Sequence, residues 1–253
     1  MTADRPALVL LHGVTMSGSA WQDVVPLLSA DYDVHTPTAA GHRGGPPARR
    51  HPATIADTID AAQRYLDEHG LDRPHLAGNS MGGWVAVELA RRGRAASVCA
   101  LSPAGFWSVG ERSHTAATAR VKKTVALSRM PRPVSALALR SAAVRSIAFA
   151  DIACRGGRLN TGQALDMIDD VQGCEVAADL LGTPEFVAAL DPLPCPVTLA
   201  WSEKDKVFPV AVNGAIARER LPQARFTVLP RVGHVPMIDD PALVARTIRE
   251  STR

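Results

Sequence analysis

His75-Leu-Ala-Gly-Asn-Ser-Met-Gly-Gly83 is the stretch that decides how this chain reads. It opens as a short apolar strand, passes through a G-x-S-x-G pentapeptide from Gly78 to Gly82, and leads into a helix predicted from about Met81 to Arg92. On such a tight strand-to-helix turn a serine hydroxyl is lifted clear of the sheet, and small flanking residues let strand and helix approach closely. The turn also aims the helix N-terminus, with its unsatisfied N–H groups and positive dipole end, at the place where an oxyanion would form. Five residues can match by chance, and serine is a common helix N-cap, so the surroundings must support the reading.

Outward from this stretch the chain alternates short apolar runs with helical stripes. Ala7-Leu-Val-Leu-Leu11, Tyr32-Asp-Val-His35, His75-Leu-Ala77 and Ser97-Val-Cys-Ala-Leu101 read as strands. Trp21, Val24, Val25 and Leu28 make one helical stripe, and Ile55, Ile59, Ala62 and Leu66 make another that stops before Gly70. The rhythm resumes with Pro196-Val-Thr-Leu-Ala-Trp201, a helix over about Ala211–Leu221, the strand Arg225-Phe-Thr-Val-Leu229, and a helix from Pro241 onward. This alternation predicts an α/β fold with a doubly wound, mostly parallel sheet covered by helices on both faces.

Residues 108–191 break the pattern. No strand is expected there, while Val134, Leu137, Ala138, Val144, Ile147 and Ala148 fall at helical spacings. The organisation expected is a core domain of residues 1–107 and 192–253, with residues 108–191 inserted as a helical cap over Ser80. Its charge is split: Glu111–Arg158 holds ten lysines and arginines against two acidic residues, and Leu159–Asp191 holds seven acidic residues and no lysine or arginine. Solvated helices account for the basic half; the functional alternative is a cover that attracts an anionic or carrier-linked substrate.

Composition bounds the rest. Of 253 residues 46% are apolar, enough for one large core, and a net charge of +3 is too balanced for a dedicated nucleic-acid binder. The first apolar run is too short for a signal-peptide core or a membrane span. Cys99, Cys154, Cys174 and Cys195 are too sparse for a disulfide scaffold and are expected as free thiols in a cytoplasmic protein. Neither they nor the eight histidines form a ligand cluster, so no metal or cofactor is expected.

A serine nucleophile needs a general base and an acid to orient it, set in loops after later strands in the order nucleophile, acid, histidine. After Trp201 comes Ser202-Glu-Lys-Asp-Lys-Val-Phe-Pro209, which offers Glu203 and Asp205. After Leu229 comes Pro230-Arg-Val-Gly-His-Val-Pro236, which offers His234. Upstream, Leu11-His-Gly-Val-Thr-Met-Ser17 follows the first strand, where a second oxyanion donor belongs. Arg43, Arg49 and Arg50 fall in a Gly/Pro-rich stretch, Gly41–His51, read as a solvated surface loop.

These motifs, in this order and context, resemble the α/β-hydrolase superfamily over almost the whole chain, in particular its carboxylesterases and its meta-cleavage-product carbon–carbon hydrolases. The resemblance implies Ser80 as nucleophile, Asp205 as the triad acid and His234 as the base, with the backbone N–H groups of Val14 and Met81 as the oxyanion hole. It implies that His12 braces the oxyanion loop rather than moving protons, and that the block after Leu101 is the family's cap. Two N-terminal edge strands of the family have no evident counterpart here. Met16, Phe106 and Trp107 are expected to line the substrate pocket.

The reaction implied is hydrolysis of a carboxylic ester or thioester through an acyl-enzyme on Ser80. Serine rather than aspartate at position 80 argues against epoxide hydrolases and haloalkane dehalogenases, which in this superfamily need an attacking carboxylate. Carbon–carbon hydrolysis of ring-fission products is the alternative; those enzymes typically carry a tryptophan after the histidine, where this chain has Val235, and use a cap arginine. An alternative of another class is a silent ligand-binding protein on the same fold.

Overall fold

A computed structural model describes residues 5–108 and 131–253. Among them, six strands form one sheet: β1 (Ala7–Leu11), β2 (Asp33–His35), β3 (His75–Asn79), β4 (Ser97–Leu101), β5 (Val197–Ser202) and β6 (Arg225–Leu229). Their order is β2-β1-β3-β4-β5-β6, and every neighbouring pair is parallel. The sheet is therefore wholly parallel, a step beyond the mostly parallel expectation.

A parallel sheet buries both faces, and the alternation of side chains along each strand shows how the two cores divide. Leu8, Leu10, Ala77, Cys99, Leu101 and Ala200 face one core, which is closed by Trp21, Val24, Leu28 and Val244, Ala245 and Ile248. Val9, Leu11, Leu76, Val98, Leu199 and Trp201 face the other, closed by Ile55, Ile59, Leu66, Trp84, Val85, Leu89 and Ala217. Each fully buried Leu or Val among them contributes about 1.5–3 kcal/mol relative to exposure.

The covering helices are α1 (Val25–Leu28), α2 (Ile55–Glu68) and α3 (Met81–Arg91) in the first half. A π-helical turn (Val210–Gly214) leads into α8 (Ala215–Arg220), and α9 (Pro236–Asp239) and α10 (Pro241–Ser251) follow β6. The stripe from Trp21 to Leu28 forms a 3₁₀ turn (Gly18–Trp21) and the single turn α1, not one helix, and Pro26 is the second residue of α1, where a missing N–H is tolerated. α2 starts with a reciprocal box: the Asp57 N–H donates to the Thr54 hydroxyl, and the Thr54 N–H donates to the Asp57 carboxylate.

Between β4 and β5 the described residues hold only helices: α4 (Arg132–Ala138), α5 (Ala142–Ala148), a 3₁₀ turn (Gly156–Arg158), α6 (Thr161–Gln172) and α7 (Ala177–Leu181). Residues 109–130 of the expected cap lie outside the described residues. The basic half is not uniformly a solvated face. Arg145 is buried, its guanidinium donating to the carbonyls of Leu139 at 2.6 Å, Arg140 at 3.0 Å and Gly157 at 3.2 Å. It ties α4, α5 and the 3₁₀ turn together. Arg140 is exposed, and Arg132 pairs with Asp169 of α6 at 3.0 Å.

Candidate active site

Ser80 sits between β3 and α3 at φ 55°, ψ −117°, a conformation that L-residues adopt only when their surroundings impose it, at a cost of about 1–3 kcal/mol. Here the surroundings are the backbone itself. The Ser80 N–H donates to the Leu101 carbonyl at 3.0 Å, and the Ser80 carbonyl accepts from Ala104 at 3.0 Å and Trp84 at 3.1 Å. Glycine is obligatory on both sides: a Cβ at Gly78 would strike the Gly82 carbonyl, and a Cβ at Gly82 would strike the Leu11 carbonyl. The close approach expected from the sequence is thus an approach of β3, α3 and the end of β1.

His234 lies in the loop after β6, and its Nδ1 is 2.8 Å from Asp205 Oδ2 in the loop after β5. Both are buried, the Asp205 side chain completely. Asp205 Oδ1 accepts the N–H groups of Val207 and Phe208, each at 2.8 Å, so the carboxylate is aimed by its own turn. With the carboxylate as acceptor, Nδ1 carries the proton and Nε2 is left to the other side of the ring. Glu203 points elsewhere, to Lys204 and the Arg231 N–H. The choice of Asp205 over Glu203 as the partner of His234 matches this geometry.

The segment after β1 turns tightly, with the Met16 N–H on the Gly13 carbonyl and Thr15 at φ 63°. Gly13 lies against Ser80; a Cβ there would be 3.4 Å from the Ser80 Cβ. His12 is wedged behind this loop. Its Nε2 accepts the Ala39 N–H at 2.9 Å, so Nδ1 donates to the Gly13 carbonyl at 2.8 Å. Burial, with His42 edge-on at 5.0 Å, pushes the His12 imidazole down to about 3, and it is neutral at ordinary pH. A ring that offers no exchangeable proton site to solvent acts as a strut.

Ser80, His234, Val14 and Met81 open onto one cavity. Met16 and Trp107 line it, together with Trp84, Ile55, Val207 and Phe208 from the core and Phe149, Ile152, Met167, Ile168, Val171, Leu180 and Leu181 from the segment between β4 and β5. Phe106 does not line it. Its ring is fully buried and meets Trp201 edge-on at 6.3 Å, because the backbone there turns the two neighbouring aromatics to opposite sides: Phe106 into the core and Trp107 against Trp84 and Phe208. Among the described lining residues no side chain is Asp, Glu, Lys or Arg.

Two residues beside the site carry no motif of their own. Asn79 donates from Nδ2 to the carbonyls of His234 at 2.8 Å and Leu101 at 3.1 Å, bridging the serine turn to the histidine loop. Asp239 is fully buried and accepts the backbone N–H groups of Gly233, Cys154 and Arg155 at 2.7, 2.9 and 2.6 Å, tying the histidine loop to the inserted segment. Asn79 was legible as part of the pentapeptide; Asp239, in an ordinary helix-start sequence Asp239-Asp-Pro241, gave no signal.

Comparison with known proteins agrees with the fold. The chain belongs to the Alpha/beta hydrolase family, whose sequence profile matches residues 8–247. It is 32% identical over 200 residues to an epoxide hydrolase, EphH, of Mycobacterium tuberculosis, covering 78% of this chain and 92% of the relative. It is 29% identical to a pimeloyl-[acyl-carrier protein] methyl ester esterase of Aromatoleum aromaticum, covering 99% of both chains. Among solved structures, a thermophilic esterase from Thermogutta terrifontis superposes with a TM-score of 0.73 at 23% identity over 97% of this chain and 88% of that one. A 2-hydroxy-6-oxo-6-phenylhexa-2,4-dienoate hydrolase from Rhodococcus sp. superposes with a TM-score of 0.74 at 18% identity, over 98% and 90%. The protein is a hydrolase of this family, and no helix among its described residues is long and apolar enough to cross a membrane.

Proposed function

We propose that this protein is a serine hydrolase of carboxylic esters whose acyl group is apolar and uncharged. The observation that carries the reading is the shared cavity of Ser80, held at φ 55° on its turn, and His234, held on Asp205 at 2.8 Å. Ser80 Oγ attacks the ester carbonyl carbon while His234 Nε2 takes its proton, and Asp205 steadies the imidazolium that forms. The N–H groups of Val14 and Met81 receive the oxyanion. Collapse of the tetrahedral intermediate breaks the bond to the leaving group, which departs with the proton from His234; water then attacks the acyl-enzyme with His234 again as base.

The acyl class follows from the cavity walls. Most of the side chains around it are aliphatic or aromatic, and none of the described lining residues is a lysine or arginine that would pair with a substrate carboxylate. Substrate charge therefore belongs on the leaving group, as in a carrier-linked or otherwise anionic ester. The same walls count against a ring-fission dienoate. The activity named for the mycobacterial relative is not carried over, because the turn here presents a serine and not an attacking carboxylate.

The test is twofold. A fluorophosphonate probe should label wild type at Ser80 and leave Ser80→Ala unlabelled. Turnover should rise with acyl length across p-nitrophenyl esters and exceed that on a dienoate or an epoxide; an unlabelled wild type, or preference for either of the last two, overturns the reading.

A further inference from the structure

We propose that Asp170 is a positioning residue for hydrolysis, locking the cavity-wall helix α6 onto the oxyanion loop; the proposal rests on the serine-hydrolase reading above. Asp170 is 2% exposed, and no part of its burial is explained by the Ser80, His234 and Asp205 arrangement. Its Oδ2 accepts the Ser17 hydroxyl at 2.7 Å, and its Oδ1 accepts Arg43 Nε at 2.6 Å. Ser17 closes the loop that starts at Gly13, and its hydroxyl also meets the Ser19 hydroxyl at 2.8 Å. Arg43, expected in a solvated loop, reaches α6 a second time through the Asp166 carbonyl at 3.3 Å.

α6 presents two sides with different tasks. Met167, Ile168 and Val171 line the substrate cavity, while Asp170 turns to the loop. Just past the end of α6, the Glu175 N–H donates to the Gly41 carbonyl at 2.9 Å. The loop that offers the Val14 N–H is thus gripped from one side by His12 and from the other by Asp170. An apolar residue could fill this joint, but it could not direct the Ser17 hydroxyl and the Arg43 guanidinium at once. Burying a carboxylate is costly and adds little net stability, so what Asp170 supplies is direction. Set by this clamp, the distance between the oxyanion donor and the cavity wall fixes where the acyl carbonyl lies relative to Ser80.

The experiment compares Asp170→Asn, Ser17→Ala and Arg43→Gln with wild type in the full chain. Turnover is counted per site titrated with a fluorophosphonate, so that loss of folded protein does not enter. For Asp170→Asn we expect kcat to fall about 10²-fold on short p-nitrophenyl esters, the scale of a misplacement near 1 Å. KM for those esters should stay within about threefold, and the preference for longer acyl chains should flatten, as a loosened wall requires. Ser17→Ala, which deletes one hydroxyl, should show the same pattern at about tenfold, and it decides the matter if Asp170→Asn does not fold. Hydrogen exchange at residues 13–17 should quicken at least about tenfold in both. Exchange is read without turnover, so a wild type lacking esterase activity sinks the functional reading while the clamp is still judged. Kcat within about twofold of wild type in both variants, or unchanged exchange at residues 13–17, overturns the proposal.

Discussion

The serine turn and the inserted helices are held in place by different means. Around Ser80 the contacts are between backbones: β3 and α3 are contiguous, Gly78 and Gly82 let main chains meet, and the Ser80 N–H and carbonyl are both bonded to main-chain groups. The inserted segment meets the core by apolar packing of residues such as Phe149, Leu159, Val176 and Leu180, and its joints are made by polar groups separated by long stretches of chain, Asp170 to Ser17, Asp239 to Cys154 and Arg155, and Glu175 to Gly41 among them. A contiguous turn can be specified by five residues. A wall assembled at a distance is specified by partners that look ordinary until the chain is folded.

The sharpest way to break this comparison is at the turn. Ser80→Ala should lower esterase kcat at least about 10³-fold, and up to about 10⁶-fold, with the circular dichroism spectrum unchanged. A variant within tenfold of wild type would refute the nucleophile assignment. Asp205→Asn should cost about 10⁴-fold, because an amide facing Nδ1 leaves His234 in the wrong tautomer. Steady-state kinetics on a p-nitrophenyl ester reads both.

Within the insertion, away from the joint at Asp170, the effects should fall on stability. Arg145→Gln should destabilise by about 2 kcal/mol, read as a lower urea midpoint, since carbonyls bonded to a buried guanidinium lose their donors. Its kcat on a short ester should change less than its stability. If instead kcat collapsed while the midpoint held, the insertion would be part of the chemistry and the contrast between the two regions would fail.

A smaller effect concerns pH. His12 titrates near 6.5 when exposed on unfolding but only at about 3 when folded. Between these values the unfolded chain binds more protons, so stability from this group is intact above pH 6.5 and declines as pH falls, by about 1.4 kcal/mol per unit. His42, also lowered chiefly by burial, adds to the same trend. His12→Asn should flatten the decline in urea midpoint below pH 6.5, and an unchanged slope would show that the strut titrates freely.

How far the sequence could be read follows the same division. β1 and β4 begin and end where the sequence places them, because strands buried on both faces leave little room for polar residues. The placement of Ser80, Asp205 and His234 was legible because each follows a strand, and a strand end is a fixed address. Phe106 was misplaced beside Trp107, since two adjacent aromatics after β4 give no hint of which one turns inward. Arg43 and Arg145 read as solvated charge; only their partners, a buried carboxylate and a set of carbonyls, take them out of water. No periodicity records Asp170 as the partner of Arg43, 127 residues away, nor the turns that bring the nearby carbonyls of Leu139, Arg140 and Gly157 around Arg145.

One feature of the sheet bears on how such a protein can change over generations. β4 and β5 are neighbours in the sheet, yet residues 102–196 run between them. Closing a loop between adjacent strands becomes harder only logarithmically with its length, about 0.6 kcal/mol for each doubling. The frame that carries the serine, acid and histidine could accept a shorter or longer connection here at little cost to its folding. The joints at Ser17, Arg43 and Gly233 would have to be matched again, with others such as Ala53 to Asp179 and Ile55 to Glu185. New cavity walls can therefore be recruited by replacing one continuous stretch of gene, with Ser80, Asp205 and His234 inherited untouched.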